Sequence, residues 1–268
     1  MSDKYLKYQI TTQKAGLRHQ AYNLKTLIYE SYILGRVAVI SKWHLFGYHN
    51  FRKGVDTDFE KYFDFQGVRI EGKKPQIELE KNIGRIEVEQ EYQMNDSIDP
   101  LAVMAVRKFP PNEGCSWKYL KTDFDIYHKV KIPYSKEVVT LAQKLRKEID
   151  YPLTVVHVRR RDVLKKKWRL WKDTRPKNIL NVLKKIGSPN IVYVMSNETK
   201  EGFFDEISRD YKLKLIQNIP WLSDIQKEDN FLAYCIENQL LKMADKKVTT
   251  FSDNTDEEWD GFLSKATW

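Results

Sequence analysis

The sequence predicts an α/β fold built as two lobes, on three observations. The second half holds four short apolar segments, Leu153 to Val158, Ile191 to Met195, Leu213 to Ile216 and Lys247 to Thr250, with helical apolar spacing between most of them. Strands alternating with helices make right-handed crossovers and a parallel sheet. In the first half, Leu17, Ala21, Leu24, Leu27, Ile28 and Leu34 recur at roughly helical spacing and run directly into the buried-strand pattern Val37-Ala38-Val39-Ile40. A chain of 268 residues also divides naturally into two lobes of roughly 130 residues, a usual domain size.

Along the chain, a polar and aromatic stretch around Trp43-His44 leads to Asp58-Phe59-Glu60-Lys61-Tyr62-Phe63, and Asp56-Thr57-Asp58 reads as a polar turn before Phe59. Between residues 67 and 135 the alternation in Ile83-Gly84-Arg85-Ile86-Glu87-Val88 suggests strands. Ser135 to Glu148, with Val138, Val139, Leu141, Ala142 and Leu145, predicts a helix, and the lobe boundary falls near it: residues 1–140 form one lobe and 141–268 the other. Phe231 to Leu240 carries a helical apolar stripe, with Glu237, Asn238 and Gln239 as its solvent face.

Composition bounds the function. A hydrophobic fraction of 41%, with 15 Tyr, 12 Phe and 7 Trp, supplies real cores and excludes wholesale disorder. No run reaches the roughly 18–20 apolar residues of a membrane span, and Met1-Ser2-Asp3-Lys4-Tyr5 lacks the apolar core of a secretory signal. The expectation is a soluble chain in the cytoplasm or another reducing compartment, since the two cysteines, Cys115 and Cys235, form neither a disulfide framework nor a metal-type spacing. The net charge of +9 points to anionic partners without choosing among them. A nucleic-acid-binding protein is the competing class. It rests on Lys165-Lys166-Lys167-Trp168-Arg169-Leu170-Trp171-Lys172, where aromatics interleave with cations as in single-strand binders. Elsewhere the charge is spread along the chain, so nucleic acid ranks behind the reading below, and the block itself reads equally as a solvated helix face or an acceptor-site rim.

In open parallel sheets, ligands bind beyond the carboxyl ends of strands. Val155-Val156-His157-Val158 is such a strand, and Arg159-Arg160-Arg161-Asp162 leaves it at once. An arginine fork holds two phosphate oxygens together, a charge-assisted bond contributing about 1.5–3 kcal/mol. Three consecutive arginines cannot all point one way. Asp162 suits the fixing of an arginine or a bond to a sugar or base donor, and His157 lies within the strand. Later, Thr249-Thr250-Phe251-Ser252 ends a strand, and Asn254-Thr255-Asp256-Glu257 reads as the capping box of a following helix, whose start presents N–H groups to an anion.

The segment His157-Val158-Arg159-Arg160-Arg161-Asp162 resembles the His-x-Arg-Arg-x-Asp motif of α1,6-fucosyltransferases and bacterial chitooligosaccharide fucosyltransferases, which share a superfamily with protein O-fucosyltransferases. Three further segments fall in the family's order. Lys14-Ala15-Gly16-Leu17-Arg18-His19-Gln20 is similar to its Gly-x-x-Asn-Gln opening, Ile191 to Glu198 to its strand ending in Thr/Ser-Asp-Asp/Glu, and Ala244-Asp245 through Thr249-Thr250-Phe251-Ser252 to the stretch ending in Ser-Thr-Phe-Ser. His19, Asn197 and Arg161 depart from the family, standing where Asn, an acidic residue and a small residue are usual.

The resemblance implies a GT-B arrangement, two Rossmann-like lobes facing across a cleft, with an acceptor-side first lobe and a nucleotide-sugar-binding second lobe. It implies an inverting, metal-independent glycosyltransferase moving fucose from GDP-fucose to a glycan or protein hydroxyl, with no cofactor beyond the donor. Another donor such as UDP-xylose, or a homologue that binds donor without turnover, stand as alternatives. The implied donor site comprises Gly16, Leu17, Arg18, His157, Arg159, Arg160, Asp162, Asn197, Thr250, Phe251 and Ser252, with Arg159 the principal β-phosphate contact. A base must remove the acceptor proton. His19, His44, Asp56, Asp58 and Glu60 of the first lobe qualify, and Asp58 is the catalytic candidate beside Arg159.

Overall fold

The computed structural model describes residues 3–10, 17–45, 55–84, 86, 89–93, 96–109, 129–149, 152–160, 168–251 and 259–264. The chain divides into two compact units, Met1–Glu137 and Val138–Trp268.

The first unit centres on a five-stranded sheet in the order β6-β2-β1-β8-β7, all neighbours parallel. Its strands are β1 (Tyr5–Ile10), β2 (Val37–Ile40), β6 (Ile77–Leu79), β7 (Glu89–Tyr92) and β8 (Met104–Phe109). Helix α1 (Leu17–Ile33) packs against β1 and β2. Its Leu17, Leu24, Leu27 and Ile28 fall on one buried face, as a 3.6-residue period requires. The helix stops at Gly35, whose φ of 62° is the left-handed value favouring glycine, while Arg36 N–H donates to Ser31 O and Gly35 N–H to Tyr32 O. Arg36 then turns inward and donates to the carbonyls of Tyr5, Ala102 and Asp99, at 3.2, 2.8 and 2.7 Å, tying both strand starts to the helix end. Beneath α1, Glu30 pairs with Arg107 and accepts from the Tyr8 hydroxyl; burial, then Glu30, pushes the Tyr8 pKa well above its ordinary value.

Two short antiparallel pairs complete this unit: β3 (Trp43–Leu45) with β4 (Val55–Thr57), and β5 (Arg69–Ile70) with β9 (Val130–Lys131). Asp56 and Thr57 therefore lie in a strand, where the sequence suggests a turn, because Thr57 favours strands and cross-strand pairing with His44 overrides the low strand propensity of Asp56. The strand expected over residues 83–88 also shifts. Ile83 and Ile86 pack on Val39, Met104 and Val106, the described strand covers Glu89–Tyr92, and residues 85, 87 and 88 lie outside the described residues.

The second unit opens with α2 (Lys136–Glu148), which buries Val138, Ala142 and Leu145 at four- and three-residue spacing; the division between units falls inside this helix, three residues before the boundary read from sequence. Its sheet runs β12-β11-β10-β13-β14, again wholly parallel, with β10 (Leu153–Val158), β11 (Ile191–Ser196), β12 (Lys212–Leu215), β13 (Lys246–Thr249) and β14 (Gly261–Phe262). The helices are α3 (Trp168–Asp173), α4 (Pro176–Lys185), α5 (Asp205–Ser208), α6 (Pro220–Glu228) and α7 (Asn230–Lys242). Val156, Val158, Val192, Val194 and Val248 of the sheet pack with Ile179 and Leu183 of α4 in the core.

Asp229 caps α7, its carboxylate accepting from Phe231 N–H and Leu232 N–H at 3.1 and 3.0 Å. Glu237 does not lie on a plain solvent face, contrary to the sequence reading. One helical turn from Ala233 and Leu240, it shares their inward side and accepts from the Tyr193 hydroxyl at 2.9 Å; burial raises its pKa to about 7. Burial also pushes up the thiol of Cys235 on the same helix. Among the described residues no helix is long and apolar enough to cross a membrane.

Candidate functional site

In the second unit the chain builds outward from β10 through β11 to β12, then returns to place β13 and β14 on the other side. The order reverses between β10 and β13, and the carboxyl end of a parallel sheet at such a switch point is where crossover loops part and leave a crevice. Arg159 and Arg160 leave β10 at that end. Each neighbouring strand sends a side chain to hold their backbone. The Thr250 hydroxyl, just past β13, accepts from Arg159 N–H at 2.9 Å and donates to His157 O at 2.9 Å. The Asn197 carboxamide, just past β11, accepts from Arg160 N–H at 2.7 Å, and Ser196 Oγ donates to Val158 O at 2.9 Å. Thr250 is fully buried, so its hydroxyl bonds position the exit backbone.

Successive side chains of an extended segment point to opposite sides, and the two arginines divide accordingly. Arg160 turns inward and is 3% exposed. Its Nε donates to Glu198 at 2.7 Å, its Nη1 to Thr174 O and Oγ1 at 2.8 and 2.6 Å, and its guanidinium lies over the Phe203 ring at 4.4 Å. Burial alone would raise the Glu198 carboxyl. Hydrogen bonds from Lys200 N–H, Arg160 and Thr199 N–H more than offset it and hold the carboxyl below its ordinary range. Arg159, by contrast, is half-buried and retains a solvent-facing portion. The pair thus commits Arg160 to the framework and leaves Arg159 partly exposed at the strand end.

His157 is half-buried within β10, and Phe251 is 1% exposed, its ring in the core. In the first unit Leu17 and Arg18 open α1, Leu17 buried. Asp58 precedes a 3₁₀ turn with its carboxylate 3.5 Å from Lys81 Nζ, which also pairs with Glu60. Gly16, Arg161, Asp162, Ser252 and the capping box at 254–257 lie outside the described residues, as does Cys115. Among the described residues no group of three or more His, Cys, Asp or Glu is placed to hold a metal ion. The half-buried Arg159 cation at the end of β10 suits an anionic group, while the Thr250 hydroxyl and the Arg159 and Arg160 amides are engaged in holding the backbone.

Both units are thus five-stranded parallel α/β sheets, and solved structures share that architecture. POFUT1 in complex with GDP aligns with a TM-score of 0.60 at 9% identity, covering 93% of this chain and 91% of that one. POFUT1 in complex with GDP-fucose aligns at 0.58 and 10%, covering 93% and 92%. Fucosyltransferase NodZ from Bradyrhizobium aligns at 0.51 and 14%, covering 92% and 88%. The chain shares the fold of POFUT1 and of NodZ. No family model matches the sequence, and no curated protein matches it.

Several side chains that the sequence did not mark as site residues also surround these strand ends or stand out in the first unit. Thr174, Glu198 and Phe203 make the socket for Arg160. Gln20 on α1 is fully buried, its Oε1 accepting from Asn23, while among the described residues its Nε2 has no hydrogen-bond partner. A buried amide donor without a partner is costly, about 1–3 kcal/mol. Its neighbours in Gly16-Leu17-Arg18-His19-Gln20 were the available signal. The first unit also carries an open cavity of about 340 Å³ lined by Lys7, Gln9, Ser41, Lys42, Trp43, Glu80, Glu91 and Val106. Lys7 and Gln9 are the polar half of the β1 alternation, and Lys7 pairs with Glu80.

Proposed function

We propose that this chain is a nucleotide-sugar-dependent glycosyltransferase whose second unit binds the donor diphosphate through Arg159, with GDP-fucose as the donor. The observation that carries the proposal is the division of the arginines at the switch point: Arg160 is locked inward, and Arg159 leaves β10 on a backbone pinned by Thr250. Glycosyl transfer needs charge neutralised on the leaving diphosphate, and in this reading the Arg159 guanidinium supplies it without a metal. The structures sharing the fold include one with GDP-fucose and one with GDP, which supports a GDP-sugar. Backbone amides at Phe251 and Ser252 complete the anion site in this reading, with Asp162 supporting the arginines. Asn197 and Thr250 act by holding the loop, and the opening segment Gly16-Leu17-Arg18, with the amide of Gln20, binds donor from the first unit. Transfer is inverting, in one displacement to a glycan or protein hydroxyl, with Asp58 removing the proton.

A thermal-shift panel of GDP, GDP-fucose, GDP-mannose, UDP-glucose and UDP-xylose tests the reading. GDP-fucose is expected to raise the melting temperature of the wild type and not that of Arg159→Ala, because a ligand stabilises only the state that binds it. An unchanged shift in Arg159→Ala removes Arg159 from the site, and absence of a shift with every nucleotide removes the proposal. Unaltered turnover in EDTA is expected. Asp58→Asn is expected to lower kcat while leaving the GDP shift intact.

A further inference from the structure

Helices α3 and α4 meet at a corner that is bolted to the same strand ends as Arg159. At Thr174 the corner receives two hydrogen bonds from buried Arg160, and at Asp173 one from Ser264 Oγ at 2.6 Å. Ser264 N–H in turn donates to Thr250 O at 3.1 Å, Thr250 being the residue that pins Arg159. Consecutive residues of the corner are therefore fixed from two directions, and the surface flanking them is held at a set distance from the candidate donor loop.

That surface has a definite chemistry. Trp171, 47% exposed, is the exposed tryptophan of the described residues, and the Arg175 guanidinium stacks on its ring at 3.9 Å. Lys172, Arg175 and Lys177 are exposed around it. Asp173 is the single acidic residue from 168 to 178, and its carboxylate is engaged by Ser264. A flat indole packs against the C–H face of a pyranose, while a planar guanidinium and neighbouring ammonium groups hold a carboxylate, sulfate or phosphate. Single-strand nucleic-acid platforms use successive aromatic faces. Among the side chains the structure describes, Trp171 is the exposed indole, and one of its faces carries Arg175, which leaves room for a single ring on it.

We propose that the Trp171–Arg175 pair on the α3–α4 corner is a binding subsite for an anionic saccharide, and that this saccharide is the acceptor. The second clause rests on the glycosyltransferase reading, whereas the binding claim does not. Arg160 has a double role in consequence: one buried guanidinium sets the donor loop and the acceptor platform relative to each other.

The test is calorimetric titration at fixed ionic strength of the full chain with a hyaluronan hexasaccharide, neutral chitohexaose and a dT12 oligonucleotide. Hyaluronan carries carboxylates without sulfates, which tests ring and carboxylate together rather than bulk charge. Wild type is expected to bind hyaluronan at least tenfold tighter than chitohexaose. Trp171→Ala and Arg175→Gln, both at exposed side chains, are each expected to weaken hyaluronan binding about tenfold while melting temperature and GDP affinity hold. Unchanged hyaluronan affinity in both variants overturns the proposal, as does dT12 binding tighter than hyaluronan with loss in the same variants. Failure of wild type to bind GDP sinks the glycosyltransferase reading separately and leaves the saccharide result to stand on its own.

Discussion

Replacing Arg160 by methionine keeps much of the side-chain volume and removes the charge, so it separates framework from ligand binding. The variant leaves Glu198, whose carboxylate is 12% exposed, without its cation, and strips the Thr174 carbonyl of a donor. Breaking a buried pair by removing one partner costs about 3–5 kcal/mol. At ~2–4 °C per kcal/mol for a chain of this size, the melting temperature falls by roughly 6–20 °C. Circular dichroism melts and urea titration measure the loss, and Glu198→Gln in the same background restores part of it by removing the stranded charge. The pH dependence gives a second reading. The folded Glu198 pKa lies below its unfolded value, so the contribution of the pair is complete above roughly pH 4.5 and fades as the pH falls through the folded pKa. The gap between wild type and Arg160→Met should narrow below about pH 4. A loss under about 1 kcal/mol at pH 7, the range of a surface pair, would refute the buried-socket account.

Three other substitutions probe separate parts of the framework. Glu237 titrates near pH 7 when folded, above its unfolded value, so native stability falls as pH rises between the two; Glu237→Gln should gain on the order of 2–3 kcal/mol at pH 8 and little at pH 4, by melts at both pH values. Arg107→Leu strands Glu30 under α1 and should cost about 3–5 kcal/mol in urea unfolding, more than Tyr8→Phe, which removes one hydrogen bond to the same carboxylate. Thr250→Val leaves Arg159 N–H and His157 O without the bridging hydroxyl; a loss of about 1–3 kcal/mol and weaker GDP binding are expected, both recovered in Thr250→Ser. Equal GDP affinity in all three Thr250 forms would disconnect the clamp from the site.

The second unit was largely legible in the sequence because its strands are continuous apolar runs, the pattern of a sheet covered on both faces. Val155, Val156 and Val158, and Val192, Tyr193 and Val194, are buried where the runs fall. The first unit was less so. In β1, Leu6 and Tyr8 are buried while Lys7 and Gln9 line a cavity, and a six-residue alternation next to the amino terminus gives little signal. The candidate site was legible as a place and not as a set of roles. His157 to Asp162 marked the end of a strand, but which arginine faces inward depends on strand phase and on Thr174, Glu198 and Phe203, all distant in sequence or unmarked. Thr250 carries the hydroxyl expected near an anion, yet neighbouring backbone groups engage it. Glu237 was misread because a helical carboxylate is solvated by default; only the Tyr193 hydroxyl across the sheet makes the inward position tolerable.

The account stands on Arg159 meeting the donor's diphosphate, and the phosphorus nuclei report that contact directly. In a ³¹P NMR titration of GDP, wild type is predicted to shift and broaden the β-phosphorus resonance, and Arg159→Ala, still folded by its melting temperature, is predicted to leave it at its free position. The same β-phosphorus shift with both proteins would contradict the central claim.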